Sequence, residues 1–176
     1  FYDAVGASYE GSLTYRRIEN PGDVEKHPTV LADVKTEVGK LLGPLLNRKK
    51  VLFACRENAC RSQMASAYAQ YLAGDRIDVL SAGSSPASEI NPMMVEAMQE
   101  KGIDMAFRGT HHLEALIESE KPDMIITMGC GEACPVTPGV ERLDWDLPDP
   151  AGKGMDTMRQ VRKEIEARVT SLLGTL

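Results

Sequence analysis

From residue 48 onward, short apolar runs alternate with longer stretches in which apolar residues recur every three or four positions. The runs "KVLFAC" (Lys50 to Cys55), "IDVLSAG" (Ile77 to Gly83) and "DMIITMG" (Asp123 to Gly129) have the length and branched residues of buried strands. Helical spacing fills the intervals. Ser62 to Ala73 reads as a helix ended at Gly74, and Asn91-Pro92 opens another that Gly102 ends, with Met94, Ala97 and Met98 on one face. Thr110 is expected to cap a short helix with Leu113, Leu116 and Ile117 inward, broken by Lys121-Pro122. A last helix carries Met158, Val161, Ile165, Val169 and Leu172. Strands alternating with helices predict an α/β fold, a parallel sheet covered on both faces.

The first 47 residues follow a different pattern. Phe1 to about Gly22 is irregular and reads as loop, after which His27-Pro28 opens a helix that Gly43-Pro44 stops. Its apolar stripe, Val30, Leu31, Val34, Val38, Leu41 and Leu42, is expected to pack on the main domain or on a partner subunit. The chain thus divides into a partly helical N-terminal extension, residues 1–47, and a catalytic domain, residues 48–176.

Composition narrows the function. With 176 residues, 43% of them hydrophobic, the chain can bury one proper core. A net charge of -6 argues against nucleic acid as a partner, because that mode needs a clustered basic surface. No apolar run approaches the roughly 18 residues that span a bilayer, and no signal-peptide pattern opens the chain, so no membrane association and a cytoplasmic location are expected. Cys55, Cys60, Cys130 and Cys134 fall in two tight clusters, a pattern that favours catalytic or metal-binding thiols over a structural disulfide framework.

The stretch "VLFACRENACRSQMA" places Cys55 where a strand ends and Arg61 where a helix begins. Such a turn, formed by Arg56, Glu57, Asn58, Ala59, Cys60, Arg61 and Ser62, aims free backbone N–H groups and the positive helix end at one point, which binds oxyanions. Arg61 can grip two oxygens of a tetrahedral anion while the Cys55 sulfur faces the central atom. Amides and guanidinium favour a thiolate at Cys55. Asn58 suits a left-handed turn position, and Ser62 can donate a hydrogen bond to the sulfur.

These residues resemble the low-molecular-weight tyrosine phosphatase family, and within it the thioredoxin-coupled arsenate reductases. The resemblance runs from about Lys50 to the C-terminus, on "CRENACRSQMA", "SAGS", "NPMMVEAMQEKGID", "DMIITMGCGEACP" and "DWDLPDPAGKGMD". It implies a three-layer α/β/α fold with a four-stranded parallel sheet, Cys55 as nucleophile, Arg61 as the anion-gripping arginine and Asp149, before Pro150, as general acid. It further implies a relay in which Cys130 attacks Cys55 to release arsenite and Cys134 then attacks Cys130, presenting a disulfide to thioredoxin. Arsenate is the implied substrate, phosphate and sulfate competing oxyanions, and thioredoxin the electron donor, with no bound cofactor. Cys60 reads as structural.

Two other readings remain open. A phosphatase acting on phosphotyrosine or a small phosphate ester needs the loop but not Cys130 or Cys134. A non-catalytic arsenite or metal sensor would use Cys130, Cys134 and His111. Arg56 and Glu57 make the loop rim more charged than is common among relatives. The potassium ligands of some relatives are matched only in part, at Asn58 and Ser81, with Ser66 where a carboxylate is expected, so no bound metal is predicted. His111 and His112 read as exposed or capping residues, Trp145 as packing beside the Asp149 loop, and the methionines as core fillers.

Overall fold

In the computed structural model, which describes residues 12–16, 18–129 and 137–176, the first strand, β1 (Lys49–Cys55), lies in the middle of the architecture. Its last five residues are buried, as the continuous apolar run requires of a strand covered on both faces. β2 (Ile77–Gly83) pairs with it on one side and β3 (Met124–Met128) on the other, both parallel, and β4 (Glu141–Asp144) extends the sheet beyond β3. The order β2-β1-β3-β4 means that the chain leaves β1 towards one edge and later returns to the other. A crevice opens at the strand tips where the winding reverses, which is where ligands bind in such sheets.

Alternation along the strands splits the core into two layers. Val51, Phe53 and Cys55 face the same way as Met124, Ile126 and Met128. On that side they meet Met64 and Tyr68 of α2 (Arg61–Ala73), Met94 and Met98 of α3 (Pro92–Gln99), and Met158, Val161 and Ile165 of α5 (Met155–Leu173). Leu52, Ala54 and Ile125 face the other way, against Leu113, Leu116 and Ile117 of α4 (Leu113–Glu120). The expected three-layer α/β/α fold with four parallel strands is present. Each fully buried Leu, Ile or Met side chain contributes about 1.5–3 kcal/mol.

The starts and stops follow local chemistry, with exceptions. Asn91 caps α3, its side-chain oxygen accepting from the backbone N–H of Met93 at 2.9 Å and Met94 at 3.2 Å. Thr110 does not cap α4; the helix starts after His112, whose side chain makes no capping bond, and Thr110 Oγ1 instead donates to the Ala87 carbonyl at 2.7 Å. Lys121 ends α4 in the left-handed conformation. No helix among the described residues is long and apolar enough to cross a membrane.

The chain divides into two units, Phe1–Asn47 and Arg48–Leu176. In the first, α1 (Val30–Leu46) runs through Gly43-Pro44 instead of stopping there. The residue before a proline is pushed out of helical angles by clashes with its backbone N–H and its Cβ, and Gly43, with no Cβ, escapes the second of these. Of the expected stripe only Val30 is buried; Leu31, Val34, Val38, Leu41 and Leu42 are exposed.

Candidate active site

The loop between β1 and α2 is held by its outward face. The carbonyls of Cys55, Arg56, Glu57 and Ala59 accept from the backbone N–H groups of Ser84 (3.2 Å), Ser85 (2.8 Å), Ala87 (2.9 Å) and Asn91 (3.0 Å). With its oxygens tied to the segment after β2, the loop keeps its amides for the inside. Among the described residues the N–H groups of Arg56 to Cys60 have no backbone acceptor. A ring of free amides at a helix start is an anion-binding concavity.

Asn58 makes the turn possible. It sits at φ +52, as its place in the sequence suggests, and is fully buried. Its Nδ2 donates to Ser62 Oγ at 2.8 Å and its Oδ1 accepts from the His111 backbone N–H at 2.9 Å. Ser62 Oγ in turn lies 3.0 Å from Cys55 Sγ. A chain of contacts therefore runs from His111 through Asn58 and Ser62 to the sulfur, fixing where it points.

Gly83 is required by closeness. Its Cα pairs with that of Cys55, and a Cβ there would stand 2.7 Å from the Arg56 carbonyl and 2.8 Å from the Asn58 nitrogen. The Gly83 N–H also donates to the His111 carbonyl at 2.9 Å. The roles of Gly83, of the segment Ser84 to Asn91 and of the His111 backbone are not among the sequence expectations. Only Gly83, where a strand ends on a residue without a side chain, carries a signal; the tethers join backbone to backbone.

Arg61 opens α2 and is buried, with its guanidinium spread over the site. Nη2 pairs with Asp149 Oδ2 at 3.1 Å, Nη1 donates to the Leu147 carbonyl at 3.3 Å, and Nε is buried without a partner among the described residues. Gly129, at φ +72 just past β3, lets the guanidinium lie against the backbone; a Cβ there would stand 2.6 Å from Arg61 Nη1. Cys55, Glu57, Cys60, Arg61, Asp149 and Ala151 line a small pocket. The Asp149 carboxylate is more than half exposed, and its Oδ1 accepts from the Ala151 N–H at 3.2 Å.

Of the remaining expected residues, Arg56 and Glu57 are exposed on the rim, and Ala59 and Cys60 are buried. Burial, then the Asp149 and Cys55 charges, push the Cys60 thiol up to about 12. Trp145 packs its ring 5.9 Å from that of Phe53. Ser66, far from offering a carboxylate, is engaged by the Arg108 guanidinium at 2.8 Å. Cys130 and Cys134 lie outside the described residues. Among the described residues no group of three or more His, Cys, Asp or Glu side chains is placed to hold a metal.

Known proteins are similar to this chain. Residues 50–176 match the family described as low molecular weight phosphotyrosine protein phosphatase. The chain is 40% identical over 127 residues to arsenate reductase 1 of Bacillus cereus, covering 70% of this chain and 92% of the relative. It is 40% identical over 133 residues to an arsenate reductase of Brevibacillus brevis, covering 73% and 97%. The solved thioredoxin-dependent arsenate reductase of Corynebacterium glutamicum is similar at TM-score 0.63 and 34% identity, over 85% of this chain and 76% of that one. An arsenate reductase solved in a phosphate-binding state is similar at TM-score 0.64 and 32% identity, over 72% of this chain and 98% of the other. With residues 50–176 matched and relatives of about 40% identity, this chain belongs to the low molecular weight phosphotyrosine protein phosphatase family.

Proposed function

We propose that the protein reduces arsenate to arsenite, with Cys55 as nucleophile and thioredoxin as the final electron donor. The observation that carries this reading is the meeting of the ends of β1 and β3 at the start of α2. The Cα of Cys55 pairs with Met128, Gly129 lies against Arg61, and Cys130 is the next residue in the chain. A second thiol thus follows directly on the segment that touches the anion site, which a phosphatase does not need. Relatives of about 40% identity named arsenate reductases, and a thioredoxin-dependent one of solved structure, support it.

The chemistry follows from the geometry. An arsenate held by the loop amides takes Arg61 as a bidentate partner, competing with Asp149 for the guanidinium. The Cys55 thiolate attacks arsenic, and a carboxylic acid at Asp149 protonates the departing oxygen so that it leaves as water. Ser62, 3.0 Å from the sulfur, steadies the negative charge before attack. The Cys130 thiolate then attacks the Cys55 sulfur: an S–S bond forms, the S–As bond breaks, and its electron pair reduces arsenic(V) to arsenite. Attack by Cys134 on Cys130 frees Cys55 and leaves a Cys130–Cys134 disulfide, which the thioredoxin dithiol reduces. In the resting site burial, before all else, holds the Cys60 thiol up at about 12, so it keeps its proton near neutral pH.

The deciding experiment is arsenate-dependent NADPH oxidation with thioredoxin and thioredoxin reductase, run beside phosphate release from an aryl phosphate. The reading expects sustained NADPH oxidation that stops without thioredoxin. Aryl phosphate hydrolysis untouched by Cys130→Ser, with no arsenate turnover, would make the protein a phosphatase instead.

A further inference from the structure

Between α2, β2 and the segment that leads into α4 lies a cavity of about 210 Å3 whose lining includes Gln63, Ser66, Ser81, Arg108 and His111. We propose that it is a second oxyanion site, selective for an anion that carries a hydroxyl group, such as hydrogen phosphate, with Arg108 supplying the charge.

Arg108 is a half-buried cation with no counter-ion among the described residues. Its Nη1 donates to Ser66 Oγ at 2.8 Å, and among the described residues no carboxylate pairs with it. Burial pulls its ionisation down, and among the described residues no negative charge opposes it. A guanidinium taken from water is stabilised by an anion brought to it, and the planar fork suits a tetrahedral oxyanion. Ser66 holds one arm in place. Its one proton is used, donating to the Gln63 carbonyl at 3.0 Å, while the oxygen accepts from Arg108.

Gln63 sets the selectivity. The residue is wholly buried, and its Nε2 donates to the Gly109 carbonyl at 2.8 Å, which fixes the amide's orientation. Its Oε1 is then left as a buried acceptor with no partner among the described residues. Gln63 and Arg108 line the same cavity, and an unpartnered acceptor in its wall disfavours an anion that is oxygen all round and favours one that offers a hydroxyl. Hydrogen phosphate, with one or two protons near neutral pH, meets both groups at once: its oxygens face Arg108 and its hydroxyl donates to Gln63. Sulfate is fully deprotonated there and has no hydroxyl to give.

The test is equilibrium dialysis of the full chain with radiolabelled inorganic phosphate near pH 7. The wild type is expected to bind a second equivalent beyond that of the Cys55 loop, and unlabelled sulfate to displace only one of them. Arg108→Gln should lose the sulfate-resistant equivalent and keep the other, whereas Arg61→Met should do the reverse. Wild-type stoichiometry limited to the loop's single equivalent, or full displacement by sulfate, would overturn the proposal. If Arg61→Met leaves phosphate binding unchanged while Arg108→Gln lowers it, the loop reading fails and the second site stands. The sulfate competition uses unaltered protein, so it decides the matter even if a variant folds poorly.

Discussion

Arg61 and Asp149 form an ion pair across the mouth of the anion loop, Nη2 to Oδ2 at 3.1 Å, with the arginine buried and the carboxylate more than half exposed. The pair has to open for Arg61 to close on an oxyanion. Asp149→Asn is therefore expected to bind phosphate as tightly as the wild type or more tightly, since a competitor for the guanidinium is weakened. It should also slow the chemical step by about a hundredfold or more, the usual worth of a positioned general acid. Single-turnover arsenate kinetics alongside phosphate titration check both parts; unchanged turnover would remove Asp149 from the mechanism.

Gly83 offers a test of how the loop is held. Because a methyl group there would press on backbone at 2.7 and 2.8 Å, no side chain can swing aside to relieve it, and the loop must shift. Gly83→Ala is expected to weaken phosphate binding about tenfold or more, since displacing a binding group by a fraction of an ångström is costly. Wild-type phosphate affinity in a folded Gly83→Ala protein would show that the carbonyl tethers do not set the loop's shape.

Cys60 should titrate far above ordinary thiols. With its proton held to about pH 12 in the fold against about 8.5 in an unfolded chain, the folded state binds the extra proton between those values. The stabilisation is fully present below about pH 8.5 and is lost as pH rises towards 12. Denaturation midpoints of Cys60→Ser should accordingly fall less between pH 8 and 11 than those of the wild type. At pH 7 iodoacetamide should label Cys55 well before Cys60, and phosphate should protect Cys55. Labelling of both at one rate would contradict the account.

Glu100 ties the end of α3 to α5 through Arg159 and Arg162, contacts that hold its carboxyl down at about 2. A depressed carboxyl stabilises the fold above its unfolded value of about 4.3, and the benefit disappears as pH falls towards 2. Urea midpoints of Glu100→Gln should lie below the wild type's at pH 7, with the gap closing from pH 5 downwards. A gap that stays constant with pH would mean that the loss is one of packing, not charge.

What the residues reveal in advance depends on whether side chains or backbone do the work. The central strands are legible because burial on both faces forces unbroken apolar runs, and Asn58 is legible because few residue types accept φ near +52. Strand β4, "ERLD", is exposed at all four positions on the sheet's edge, so its hydrophobic pattern announces nothing; only the family resemblance implied a fourth strand. Likewise the four carbonyl tethers that turn the loop's amides inward join backbone to backbone, and almost any side chains between Ser84 and Asn91 would allow them. Arg108 is invisible as a partner of Ser66 because the two lie 42 positions apart.

Three thiols act in a fixed order in the proposed relay, and counting the arsenite released per enzyme by Cys134→Ser with thioredoxin present separates their steps. With Cys130 intact, the account predicts a burst of about one arsenite followed by little turnover, and a Cys55–Cys130 disulfide in the digested protein by mass spectrometry. Cys130→Ser should release almost none. Sustained cycling by Cys134→Ser, or a disulfide joining Cys55 to Cys60, would contradict the relay and point to two thiols served by an external donor.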